Sequence, residues 1–329
     1  METNSSYLNP IGAGGFGVVY LLNDGSVIKA IYGKESCHEA QIEYGKQLRI
    51  YNSFKELKKN YKSSSNRIIN LVNEYVKISK PYNFMDKSTI INDTTYACTI
   101  RMSKLNGISL KNFYKLDPNI INRFSKEFLE KVGEDFQIMP HLALNSDIGG
   151  IYGNSYTKKI ISNKNPPRGY FLTEHSGLLD KIRKIFKLSL SNNEIKEIIG
   201  FIYGWILFDT NIIPIDIEIT LGLYNNKFKI NALDYGMCFN LDNINDNPIL
   251  PRTAPFFDIL NNNKLSSIEK YDKIIEQGKD DISIDLYGDV NEDKYNIIGF
   301  NEAYNLSQNT IKLSDYSSYV MNIKKCSVY

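Results

Sequence analysis

The sequence lacks the marks of several large classes of protein. Its four cysteines (Cys37, Cys98, Cys238, Cys326) are scattered along 329 residues with no close pair. That is too sparse for a disulfide scaffold and points to a reducing, cytoplasmic setting. His38, His141 and His175 are equally dispersed, so no four-ligand zinc spacing exists. No charge dominates: 39 Lys and Arg stand against 37 Asp and Glu. Neither a nucleic-acid footprint nor an acidic tail is indicated. The longest apolar run, Ile198 to Phe208, is eleven residues. A helix crossing a bilayer needs about 20, so no membrane partner is expected. The start, Met1 to Pro10, carries no apolar signal core. What remains, at 42% hydrophobic and 23% charged residues, is an ordinary globular composition. It is rich in Ile, Asn, Lys and Tyr, a bias that weakens any argument from one such residue alone.

The chain divides by pattern. Residues 11–20 and 26–32 are short and β-rich, joined by Leu22-Asn23-Asp24-Gly25, a hairpin signal. Residues 36–58 have helical spacing through Ile42, Leu48, Ile50, Tyr51 and Phe54. Residues 67–79 and 94–105 read as two further strands, and Lys104-Leu105-Asn106-Gly107 as a linker. Helical spacing then prevails over 109–115, 118–134, 176–189 and 192–208, with Ser191-Asn192-Asn193-Glu194 a helix start. Strands return at 217–223 and 227–233, split by Tyr224-Asn225-Asn226, and helices are expected near 264–277 and 296–306. A small β-rich piece followed by a larger helical piece gives an α+β, two-lobe expectation, 1–107 and 108–329.

The most specific motif is Ile11-Gly12-Ala13-Gly14-Gly15-Phe16-Gly17-Val18-Val19-Tyr20. Gly12, Gly14 and Gly17 have the spacing of both dinucleotide and nucleotide loops. A dinucleotide fingerprint runs from strand to helix, whereas a strand, Val18-Val19-Tyr20, follows here. A glycine loop between strands is a lid over nucleotide phosphates, where the bare backbone donates its N–H groups; Phe16 would cap the tip. Twelve residues after Gly17, the strand Val27-Ile28-Lys29-Ala30 carries one lysine among apolar residues. An ammonium there needs a phosphate or a carboxylate. Glu39 and Glu43, four apart on the next helical stretch, are the acids in reach, with Glu43 preferred.

Residues 11–51 resemble the amino-terminal lobe of the protein-kinase superfamily: loop, Val-Ile-Lys strand and helix glutamate come in the expected order. The resemblance implies a two-lobe kinase-like fold binding ATP and Mg2+. Ile100 to Leu105 resembles the strand and hinge that hold adenine, which puts the backbone of Ser103 and Leu105 at the base. Leu233-Asp234-Tyr235-Gly236, after the strand 228–232, resembles the kinase Asp-Phe-Gly segment and makes Asp234 a Mg2+ ligand. No His-Arg-Asp triplet precedes it. In one register Asp216 is the base and the asparagine position falls on Leu221. In the other Glu218 replaces the asparagine as a metal ligand and the base position falls on Ile213. Residues 194–238 and 291–304 also look like an uncharacterised kinase-like domain of fungal proteins, some described as zinc-finger proteins. The carriers are Asp216-Ile217-Glu218-Ile219-Thr220-Leu221-Gly222, Leu233-Asp234-Tyr235 and Trp205. That likeness supports the second register and lends fold more than activity. The expectation is therefore a kinase-like protein that moves phosphate to a protein hydroxyl, with a protein substrate or partner. The competing reading is a pseudokinase that binds nucleotide or serves as a scaffold.

Overall fold

The computed structural model describes residues 8, 10–13, 17–118, 126, 130, 136–142, 170–172, 177–214, 217–236, 238–240, 262, 264–265, 269 and 294–307. The chain opens with β1 (Pro10–Ala13), β2 (Gly17–Leu21) and β3 (Ser26–Ile31), then the long α1 (Ser36–Asn60) and α2 (Arg67–Tyr75). Next come β4 (Val76–Ile78), β5 (Pro81–Met85), β6 (Thr89–Ile91), β7 (Thr94–Tyr96), β8 (Cys98–Ser103), β9 (Ile108–Ser109) and α3 (Leu110–Leu116). They are followed by β10 (Gln137–Ile138), β11 (Pro140–Leu142), β12 (Tyr170–Leu172), α4 (Leu178–Phe186) and α5 (Asn192–Thr210). The remaining elements are β13 (Ile212–Ile213), β14 (Glu218–Tyr224), β15 (Lys227–Leu233), β16 (Phe239–Asn240) and α6 (Lys294–Leu306). The architecture is mixed α+β.

Two five-stranded sheets organise these elements. The first has the order β1-β2-β3-β8-β5 and the second β12-β11-β14-β15-β4. In the first sheet β3 alternates its side chains. Ile28 and Ala30 join Val18, Tyr20, Ile91 and Tyr96 on one face, while Ile31 meets Cys37 and Ala40 of α1 on the other. The second sheet buries Leu221, Phe228, Ile230, Ala232, Val76 and Ile78 in the main core, where α5 also packs. Its alternate positions carry a polar row: Glu218 and Thr220 on β14, with Asn231 and Lys229 beside them on β15.

Local chemistry explains the punctuation. At the β14–β15 turn Asn225 and Asn226 both have positive φ, 47° and 63°, the type I′ geometry that matches strand twist. Asn92 and Asp93 repeat it between β6 and β7, with φ of 49° and 63°. The expected start of α5 is a complete capping box: Ser191 accepts from the Glu194 N–H, and the Glu194 carboxylate accepts from Ser191.

Several expectations change. Residues 67–79 are not one strand. Asn66 accepts from the N–H groups of Ile68 and Ile69 and starts α2, whose buried Ile68, Ile69 and Val72 face the core. A run of β-branched residues reads as strand, and the cap overrides it. The strand that follows, β4, pairs in parallel with β15, so this stretch joins the second sheet. Cys37 and Cys98, 61 residues apart, are joined by a disulfide. The cysteine spacing hides the bond because it closes through tertiary packing of α1 on β8. The argument for a reducing compartment falls with it, since such bonds persist in oxidising surroundings. The helices expected at 118–134 and 264–277 lie almost wholly outside the described residues. No described helix is long and apolar enough to cross a membrane.

Helices α5 and α6 touch backbone to backbone. A Cβ added to Gly200 would sit 1.9 Å from the Asn296 carbonyl oxygen, and one on Gly299 would sit 1.9 Å from that of Glu197. Gly45, midway along α1, has nothing within 4 Å of such an atom. The two sites should therefore respond oppositely to alanine. Gly45→Ala should raise stability by about 0.5–1 kcal/mol through helix propensity. Gly200→Ala should lower it by about 1–3 kcal/mol by forcing the helices apart. Urea unfolding midpoints measure both, and a neutral Gly200→Ala would contradict the packing.

Candidate active site

Strand β3 places Lys29 opposite Val19 on one side and Ile100 on the other. It points from the face that Ile31 shares, toward α1. There the ammonium lies 2.7 Å from Oε1 and 2.7 Å from Oε2 of Glu43. The pair is largely withdrawn from water, with side-chain exposures of 20% for Lys29 and 13% for Glu43. Of the two glutamates in sequence reach, Glu43 thus holds the lysine. Both carboxylate oxygens grip one ammonium, so its direction is fixed as well as its charge.

The second half of the site comes from the β14–β15 hairpin. Glu218 opens β14 and is paired with Leu233, which places it beside Asp234 at the end of β15. Asp234 turns the chain with φ of 61°, a left-handed conformation that aspartate tolerates better than most residues. Tyr235 is buried and donates its hydroxyl to the Ala232 carbonyl at 2.7 Å, closing the turn onto the strand it leaves. Burial lifts the Tyr235 phenol far above its usual range. The Cys238 N–H donates to the Tyr235 carbonyl at 3.2 Å.

Electrostatics tie the halves together. Burial opposes the charge of Lys29, yet the carboxylates of Glu43, Asp234 and Glu218 outweigh it and hold the ammonium above the ordinary lysine pKa. Asp234 moves the other way. Crowding by protein, followed by the negative charge of Glu43, raises its carboxyl to about 6, against the pull of Lys29. The residue nonetheless remains open to solvent. A Cβ on Gly236 would be 3.7 Å from Asp234 Oδ1 and also 3.7 Å from Glu43 Oε2, which shows how near the two carboxylates come. Three carboxylates thus act on one ammonium. Excess negative charge in a cleft suits a divalent cation. Among the described residues no three His, Cys, Asp or Glu side chains are spaced to cage a metal unaided. Asp234 and Glu218 would hold it together with oxygens from elsewhere, the usual coordination of Mg2+.

The glycine-rich segment joins two antiparallel strands, with Gly12 opposite Val19. At Gly17 a Cβ would stand 2.0 Å from the Ala30 carbonyl oxygen, so only glycine fits. Gly14 and Phe16 lie outside the described residues, as does Asp216. Ser103 differs from expectation. Its N–H donates to the Lys80 carbonyl at 2.8 Å and its carbonyl accepts from the Ser79 hydroxyl at 2.6 Å, so these edges already serve the sheet. Leu105 is buried. Sequence reasoning missed Lys46, one turn beyond Glu43, whose buried ammonium donates to the carbonyls of Gly236 and Cys238. Its spacing of three from Glu43 was the available signal.

No family model matches this sequence, so the fungal likeness rests on the quoted residues alone. No curated relative matches it either. Among solved structures, the chain is similar to the ADP-bound aminoglycoside phosphotransferase APH(2'')-Ib at 13% identity. The match covers 99% of this chain and 96% of that one with a TM-score of 0.21. At that score the likeness carries no argument about function.

The raised Asp234 carboxyl has a consequence for stability. The folded state binds this proton more tightly than the unfolded chain, whose aspartates titrate near 4. The stabilisation is therefore fully present below about pH 4 and is lost as pH rises through about 6. Asp234→Asn should make the ligand-free protein more stable than wild type at pH 7.5. Solvent screening limits the gain to about 1 kcal/mol or less. The difference should vanish below pH 4, and denaturant midpoints taken across pH test it. A variant less stable at pH 7.5 would contradict the charge balance described.

Proposed function

We propose that this chain is a kinase-like phosphotransferase that binds Mg-ATP in the cleft between its two sheets. On this reading residues 1–107 and 108–329 form the two lobes, joined at Lys104–Gly107. The observation that carries it is the Lys29–Glu43 pair, 2.7 Å at both oxygens, within the electrostatic reach of Asp234 and Glu218. A buried ammonium aimed by a carboxylate across a cleft from two further acids suits a phosphate chain and its cation.

On this reading the sequence motifs carry the roles. Gly12, Gly14 and Gly17 present backbone N–H groups to the phosphates, and Phe16 covers them. Lys29, held in line by Glu43, contacts phosphate oxygens as a fixed positive charge. Asp234 and Glu218 hold Mg2+, which neutralises charge on the phosphates when bound. Leu105 lies on the side of the adenine. Asp216, between β13 and β14 in sequence, takes the proton of a protein Ser or Thr hydroxyl as its oxygen bonds to the γ-phosphorus, and the bond from that phosphorus to the β–γ bridging oxygen breaks to release ADP. Positioning and charge stabilisation carry most of phosphoryl transfer, so the missing His-Arg-Asp triplet slows the step without forbidding it.

Wild-type protein should gain thermal stability with Mg-ATP, by about 2.7 kcal/mol at 100-fold excess over Kd. Lys29→Met and Asp234→Ala should lose most of that gain. With labelled ATP and a mixed-sequence Ser/Thr peptide library, wild type should transfer label. Asp234→Ala should be slower by about 100-fold or more, the scale of losing one charge-stabilising group. Stabilisation without transfer would make the protein a nucleotide-binding pseudokinase. No stabilisation of wild type would remove the nucleotide reading altogether.

A further inference from the structure

We propose that Lys46 is a positioning residue that holds the Asp234 turn in its cation-binding form. This rests on the nucleotide reading above for its functional sense, though the tether is a feature of the fold itself. Lys46 is 3% exposed. An ammonium so deeply buried requires strong acceptors. Among its acceptors are two backbone carbonyls, Gly236 at 3.5 Å and Cys238 at closer range, both in the short segment after Asp234. Through them the lysine grips the chain just where the site needs a fixed shape.

That segment closes on itself through the Tyr235 hydroxyl, which donates to the Ala232 carbonyl, and the Cys238 N–H, which donates to the Tyr235 carbonyl; Lys46 ties it to α1. Upstream, Asp234 adopts a left-handed φ of 61° that costs backbone energy. Downstream, β16 pairs with β13 through Ile212↔Asn240 and Ile213↔Phe239. Between these anchors, Gly236 adds no side chain to pack. Lys46 reaches across the gap from α1, one turn beyond Glu43. One helix thus presents two arms. Glu43 fixes the ammonium of β3, and Lys46 fixes the turn carrying Asp234. Both contacts depend on the placement of α1.

The test separates the tether from mere folding. Purified full-length wild type, Lys46→Met and Lys46→Arg are titrated with Mg2+ at fixed ADP, and separately with ADP in EDTA, by thermal shift and calorimetry. Lys46→Met should need about tenfold more Mg2+ for half-maximal effect, while metal-free ADP affinity stays within about twofold. Lys46→Arg, which keeps a charged donor, should restore the Mg2+ midpoint to within about threefold. An unchanged Mg2+ midpoint in Lys46→Met overturns the proposal. So does an equal loss of metal-free ADP binding, which would mean α1 is simply damaged. If wild type binds no Mg-nucleotide, the functional reading fails instead and amide exchange decides the tether. Exchange at residues 234–240 should then rise at least tenfold in Lys46→Met while residues 50–57 keep their protection, and unchanged exchange at 234–240 refutes it.

Discussion

A lysine in a buried strand imposes a condition that much of this fold meets. Lys29 stands between Val19 and Ile100, and Ile100 is wholly buried. Left alone, its ammonium would either lose its proton or unfold the strand. Glu43 removes that choice, but only if α1 lies at one height and one rotation against the sheet. The helix is secured for this at both ends. Cys37 and Ala40 pack on the first sheet, with Cys37 bonded to Cys98. Ile50, Phe54 and Leu57 reach into the main core. Within each end these buried positions are three or four residues apart, the helical period that turns Glu43 toward β3. The ion pair is not a large net source of stability, since desolvation offsets much of its attraction. Its value is direction.

The acids opposite carry the opposing cost. Crowding by protein, followed by the like charges of Glu43 and Glu218, raises the Asp234 carboxyl to about 6 against the pull of Lys29. Asp234 also sits in a left-handed conformation. Both are tolerable because neighbours over-determine the turn. The Tyr235 ring is buried with its hydroxyl satisfied by Ala232, and Lys46 holds the carbonyls beyond. Local strain and charge repulsion are gathered at one turn, with compensation in the surrounding shell.

What could be read from sequence was local. The hairpin at Leu22–Gly25, the helix from residue 36, the Ser191 cap and the Asn225-Asn226 turn all declare themselves within a few residues. The Lys29–Glu43 pairing needed only one helix and one strand. What was hidden depends on distant chain. Cys37–Cys98 closes across 61 residues, and β4 finds its partner in β15 more than a hundred residues on. Lys46 goes unnoticed in the sequence, because the carbonyls it donates to carry no signature there. Residues 67–75 misled for a different reason. Their β-branched run favours strand on propensity, and only the Asn66 cap and burial of one face reverse it.

The segment Lys104–Gly107 adds a last constraint. The Asn106 N–H donates to the Tyr224 hydroxyl at 2.8 Å, and that hydroxyl donates to Asn231 Oδ1 at 2.8 Å. The Asn231 amide returns to the Asn106 carbonyl at 2.9 Å, which closes a ring of hydrogen bonds. Leu223 donates its N–H to the Gly107 carbonyl at 3.0 Å. The segment is therefore latched to the hairpin that ends in Glu218 and Asp234. Closed rings of hydrogen bonds hold their members in place, because breaking one strands the others. The hairpin and the segment thus form one hydrogen-bonded frame. Helix α1 meets the first sheet through Glu43 and the segment after this hairpin through Lys46, so its placement bears on both.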